Sequence, residues 1–162
     1  MAITIRPATK ADVPTLGRLG ALLVRTHHDF DPQRFIAASR GTEQGYGSYL
    51  GSNLGNRDVA VLVAEDAGSV IGYAYAGVEG MDYMALRGPA GAIYDVVVDP
   101  EHRRQGAGRM LLRAAMDFLR QRNAPRVVLS TATQNVAAQR LFESAGFRGT
   151  MIEMTAELND AR

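Results

Sequence analysis

Arg103-Arg104-Gln105-Gly106-Ala107-Gly108-Arg109 stands between an apolar run, Val96-Val97-Val98 closed by Asp99-Pro100, and a stretch with helical periodicity. A strand that enters a basic glycine turn and then a helix builds a cradle of backbone N–H groups at the helix N-terminus, a place for a pyrophosphate. Gly106 and Gly108 let the backbone approach an anion with no side chain in the way. The helix dipole adds partial positive charge there. Arg103, Arg104 and Arg109 add full charges. The pattern therefore predicts a ligand that carries phosphate.

Elimination narrows which phosphate ligand. A Walker loop needs Lys followed by Ser or Thr after its last glycine, whereas Arg109-Met110 follows Gly108. The dinucleotide fingerprint needs a third Gly or Ala, where Leu111 stands, and it places its glycines directly after the strand. What remains is R-x-x-G-x-G, from Arg103 through Gly106 to Gly108, after a V-x-V-D-P strand end. A second block follows in Asn135-Val136-Ala137-Ala138, Leu141-Phe142-Glu143 and Gly146-Phe147. Together they resemble the GNAT superfamily of acetyl-CoA-dependent N-acetyltransferases, as does the opening Ile5-Arg6-Pro7-Ala8-Thr9 with Asp12 close behind. The resemblance is strong from Ala92 to Phe147 and looser in the front third.

The resemblance implies an α+β fold, a mixed and mostly antiparallel sheet flanked by helices, whose two central strands splay to admit the pantetheine arm of acetyl-CoA. It implies that the backbone of Val96, Val97 and Val98 pairs with that arm. The amides from Arg104 through Gln105, Gly106, Ala107 and Gly108 to Arg109 would hold the pyrophosphate, with one of Arg103 and Arg104 reaching a phosphate. Asn135 would cap its helix and also meet the cofactor. The implied activity is direct acetyl transfer to the amine of a small molecule or peptide.

Two departures leave the proton chemistry open. Many members carry tyrosine where this chain has Phe142, and phenylalanine has no proton for the departing thiolate. Tyr94, Tyr75 or water would then supply it, or the chain is a non-catalytic acyl-CoA-binding module. Tyr94 occupies a position that is often acidic, with Asp95 beside it, so these two are the candidate catalytic residues. Strand alternation would send only one of them into the cleft. Glu79 is a second candidate base. Ser130 stands where the branch acting on ribosomal protein N-termini has glutamate, which argues against that substrate. His27, His28, Asp29 and Phe30, read as a loop, would form the acceptor wall with Tyr46, Tyr49 and Tyr83.

The whole chain, residues 1–162, reads as one domain with a net charge of +1, which gives no general attraction to nucleic acid or acidic membranes. It has no cysteine, so disulfides, zinc-thiolate sites and a thiol acyl-enzyme are excluded, in keeping with a cytoplasmic protein. Three histidines without metal-ligand spacing predict no metal site. No apolar run is long enough to span a bilayer, and the N-terminus has no signal-peptide core.

The elements that must position the site follow from periodicity. Ile3 and Ile5 open a first strand. Thr9 caps a helix to about Arg25, with Val13, Leu16, Leu19 and Leu23 on one face. A weaker helix covers Thr42 to Leu54. Asp58 to Glu65 and Val70 to Gly77 form a hairpin, and Met81 to Gly91 reads as a loop. Ala92 to Val98 is a strand, Gly108 to Asn123 a helix, Arg126 to Thr131 a strand and Asn135 to Ala145 a helix closed by Gly146. Arg148 to Leu158 reads as a closing or edge strand, which leaves room for a homodimer.

Overall fold

The computed structural model describes residues 2–159. Five strands, β1 (Thr4–Pro7), β2 (Val59–Asp66), β3 (Ser69–Glu79), β4 (Ala90–Val98) and β5 (Val127–Leu129), lie side by side in chain order. Four helices flank them: α1 (Val13–Phe30), α2 (Thr42–Ser52), α3 (Ala107–Gln121) and α4 (Val136–Ser144). The first three pairings are antiparallel and β4–β5 is parallel, so the sheet is mixed and mostly antiparallel.

Each face of the sheet carries its own apolar layer. Leu16 and Leu19 of α1 and Leu50 of α2 pack on Val61, Val63, Tyr73, Tyr75 and Val97. On the opposite face Leu111, Leu112, Ala115 and Leu119 of α3 pack on Ala64, Ile71, Ala74, Ala76 and Ile93. The α3 residues recur at three- and four-residue spacing, which lines one stripe of a helix. Contact between α1 and α2 depends on Gly20, where an added Cβ would lie 2.2 Å from the ring of Tyr46. Any side chain there would push Tyr46 off the sheet.

Pairing between β4 and β5 covers only Gly91–Ile93 against Val127–Leu129. Beyond Ile93, β4 continues to Val98 with β3 on one side and no strand on the other, among the described residues. The splay expected between the central strands is this divergence.

Four expectations need correction. The first helix runs on to Phe30, so His27 and His28 occupy its last turn and not a loop. Main-chain carbonyls hold both rings there, Leu23 O for His27 and Phe35 O for His28. Within the stretch read as a loop, Asp82 and Arg87 form an isolated bridge and β4 already begins at Ala90. Strict alternation fails on β4: Tyr75 faces Asp95 but Ala76 faces Ile93, so Tyr94 is the extra residue of a β-bulge. Finally, Arg148–Leu158 forms no strand within the described chain, because its backbone finds no hydrogen-bonding neighbour there.

Candidate active site

The turn before α3 is built from two left-handed residues, Arg104 at φ +63° and Gly106 at φ +90°. Gly106 is the N-cap, and glycine adopts this conformation without a Cβ clash. The turn lets six successive amides, from Arg104 to Arg109, reach the helix start with no backbone acceptor among the described residues. The first N–H groups of a helix have no intrahelical partner, and the dipole points its positive end the same way. An added Cβ at Gly108 would make only ordinary contacts, 3.5 Å to Leu141 and 3.8 Å to Val98. The fold itself therefore tolerates a Cβ at 108, in contact with the side chains of Leu141 and Val98.

The arginines divide their work. Arg103 Nε donates to the carbonyl of Val98 at 3.2 Å and so ties the turn to the strand end. Arg104 and Arg109 are exposed and make no ion pair among the described residues. Asp99 braces the other side, accepting from Glu101 N and pairing with Arg18 at 3.0 Å. Ala107 is buried and seats the helix. Gln105 lies exposed on the turn.

A cavity of about 280 Å³ opens where β4 and β5 part. Tyr94, Asp95 and Val96 of β4 line it, facing Leu129, Ser130 and Thr131, with Asn135, Ala138 and Phe142 of α4 and His27 of α1 completing the wall. Val97 turns into the α1–α2 layer and Val98 toward α3, so Val96 alone of the three valines lines the cavity. Asn135 accepts from Ala138 N at 3.2 Å as the cap of α4 while also lining the cavity. Phe142 does double duty too, packing 5.9 Å from Phe147 and walling the cavity.

The bulge brings Tyr94 and Asp95 to the same side. Asp95 is 9% exposed, and its Oδ2 accepts from the hydroxyls of Tyr46 at 2.6 Å and Tyr73 at 2.8 Å. Oδ1 has no hydrogen bond among the described residues. Burial pushes the Asp95 pKa above the ordinary carboxylate value, against the pull of both hydroxyls and of nearby His27. Burial and the Asp95 charge push both phenols up, so they remain protonated donors. Neither tyrosine's part in holding Asp95 was foreseen. The available signal was general: a phenol on a buried strand, such as Tyr73, must find a partner for its hydroxyl.

The Tyr94 ring lies 4.7 Å from that of Tyr75, and its hydroxyl donates to Glu79 Oε2 at 2.5 Å. Glu79 also pairs with Arg87. Burial, followed by that bond, pushes the Tyr94 phenol up. Tyr49 and Tyr75 share a hydroxyl–hydroxyl bond at 3.0 Å, whereas Tyr83 is exposed away from the cavity. His27 Nδ1 lies 2.9 Å from the carbonyl of Leu23, which can only accept, so Nδ1 carries a hydrogen. His28 makes the same kind of bond to Phe35 O and does not line the cavity.

The chain resembles known proteins in both sequence and fold. The family model described as Acetyltransferase (GNAT) family matches residues 23–147. A mycothiol acetyltransferase of Thermobispora bispora is 43% identical over 90 residues, 53% of this chain and 29% of that protein. N-acetyltransferase 8 of Homo sapiens is 34% identical over 99 residues, 61% of this chain and 43% of that one. The chain thus spans less than half the length of these two relatives. The crystal structure of a mutant BH1408 protein from Bacillus halodurans superposes with a TM-score of 0.81, at 21% identity, covering 96% of this chain and 99% of that one. With the family match running from α1 through both glycine-bearing blocks, the chain belongs to the acetyltransferase (GNAT) family.

Proposed function

We propose that this chain transfers the acetyl group of acetyl-CoA to a primary amine by direct attack within a ternary complex. The observation that carries the reading is the continuity of the site. The free edge of β4 runs from the cavity at Asp95 to Val98, and the turn that follows leads to the six unpartnered amides at the α3 N-terminus. The amides and Arg104 suit a pyrophosphate, Gly106 faces open space there, and the free β4 edge suits the amides of a pantetheine arm. In this reading the thioester lies beside the cavity wall formed by Tyr94, Asp95 and Val96.

The amine arrives from the other side of the cavity as its ammonium ion and loses one proton to Asp95 Oδ1, directly or through one water. A carboxylate whose pKa is raised by burial is a stronger base than an exposed one. Tyr46 and Tyr73 fix the other oxygen, so the accepting lone pair has one orientation. The nitrogen then attacks the thioester carbonyl, the N–C bond forms, the C–S bond breaks and the electron pair leaves with sulfur. The acylated nitrogen sheds its extra proton to water; Phe142 has no proton to give and the Tyr94 hydroxyl is engaged by Glu79, so the thiolate takes that proton from water. Binding of both reactants in one cavity supplies alignment.

A thiol-release assay over a panel of primary amines tests this cleanly, because the chain has no cysteine to react with the reagent. Coenzyme A release that depends on an amine, with a matching acetylated product, supports the proposal. Tight acetyl-CoA binding without turnover on any amine would instead mark a binding module.

A further inference from the structure

Residues 151–158 carry an alternating pattern that the single chain leaves unused. Ile152, Met154, Ala156 and Leu158 alternate with Glu153, Thr155 and Glu157, which is the pattern of a strand with one apolar and one polar face. Yet Ile152 is 83%, Met154 88% and Leu158 94% exposed, and the segment's backbone makes no hydrogen bond among the described residues.

The opposite vacancy lies at the end of the sheet. β5 pairs with β4 on one edge only, and its other edge has no partner among the described residues. Its three residues are all half-buried, and α4 beside it has no buried residue at all. Val127, Leu129, Phe142 and Phe147 therefore form an apolar layer that stops short of being covered. An open edge of this kind is a template for one more strand.

The chain's own segment does not fill it. It passes the loop after α1, where Arg34 Nη2 holds Glu153 Oε2 at 3.0 Å. We propose that the occupant is the same segment of a second copy: residues 151–158 of each chain add to the free edge of the other's β5, in a reciprocal two-fold dimer. Ile152, Met154 and Leu158 of the second copy would then extend the layer of Val127, Leu129 and Phe142. Glu153 and Glu157 would face the other way. An isologous exchange satisfies both edges at once and leaves no strand to propagate further. Because β5 runs on into Leu129, Ser130 and Thr131 of the cavity wall, the added strand stands next to the candidate site. The assembly does not depend on the chemistry proposed above.

Light scattering after size exclusion, with hydrogen exchange on the same samples, tests it. The full chain is expected to have twice the chain mass over a wide concentration range, with slow exchange at 151–158. The double variant Ile152→Glu/Met154→Glu changes two side chains exposed in the single chain, so it is expected to keep its melting behaviour as a folded monomer with fast exchange there. A monomeric full chain overturns the proposal. Within that outcome, protected 151–158 amides would mean that the segment docks on its own β5. A dimer that survives the double variant overturns it equally, by placing the interface elsewhere.

Discussion

Tyr94 and Asp95 are consecutive on β4 yet reach the same side of the sheet, Tyr94 with its ring 4.7 Å from Tyr75 and Asp95 with its carboxylate 2.8 Å from the Tyr73 hydroxyl. The bulge opposite Tyr75 and Ala76 makes this possible by spending Tyr94 as the unpaired residue. Both side chains therefore line one cavity, but their hydrogen bonds give them unequal chemistry. Asp95 keeps an oxygen free, whereas the Tyr94 hydroxyl is engaged as a hydrogen-bond donor to Glu79.

Asp95→Asn is expected to lower kcat/KM by about 10²–10⁴, the usual worth of a positioned base. In the wild type, kcat/KM is expected to fall on the acid side with an inflection above the ordinary carboxylate value, because burial raises the folded-state pKa. The same shift has a stability sign. A carboxyl whose folded pKa is raised costs stability as pH rises from its unfolded value through its folded value. The asparagine variant is therefore expected to melt at or above the wild-type temperature at neutral pH, measured by calorimetry, while its turnover is lost. A variant with normal turnover would remove Asp95 from the proton path.

Tyr94→Phe is expected to cost less than about tenfold in kcat/KM, or ~1.4 kcal/mol. Its ring packing on Tyr75 survives, and the lost hydroxyl served Glu79. Steady-state kinetics beside Asp95→Asn decides the order. A Tyr94→Phe defect larger than that of Asp95→Asn would reassign the proton chemistry to the tyrosine.

His27→Asn separates the two imidazole nitrogens. The asparagine amide can keep the bond to Leu23 O and removes the Nε2 side of the ring from the residue that lines the cavity. The expected result is a slightly lower melting temperature, from loss of the ring contacts with Phe30 and Phe35, with kcat/KM down about tenfold. Restoration of rate at higher pH would show that Nε2 assists deprotonation of the amine.

Asp12 anchors the start of α1. Hydrogen bonds from Arg6, at 2.8 and 3.0 Å, and from Thr9 N at 2.7 Å hold its pKa below the ordinary carboxylate value. That stabilisation is present above the unfolded-state pKa and is lost as pH falls through the lower folded-state value. Asp12→Ala is expected to destabilise the fold by about 1–2 kcal/mol at neutral pH, with the half-exposed Arg6 limiting the loss. Urea unfolding should show the gap closing in acid.

Much of the fold was legible because its signals are local. The α3 stripe of Leu111, Leu112, Ala115 and Leu119, the cap at Asn135 and the glycine at the αL position before α3 are written within a few residues of where they act. The acceptor side is different. Tyr46 reaches Asp95 only because Gly20 lets α2 lie close on α1, and Tyr73 meets it only because a bulge shifts β4 by one residue. Both depend on contacts between distant segments. The strand pattern at Ile152–Leu158 was equally clear, but a strand needs a neighbour, and no periodicity names it.

Isothermal titration of acetyl-CoA into the wild-type chain and Gly108→Val tests the central claim most directly. Position 108 tolerates a Cβ in the fold, and it sits at the helix start where the pyrophosphate is proposed to lie. The expected result is about one acetyl-CoA per wild-type chain, with a matching rise in melting temperature. The variant should stay folded and bind at least about a hundredfold more weakly, a loss of ~2.7 kcal/mol. A folded wild-type chain that shows no binding, or a folded variant that binds equally well, would contradict it.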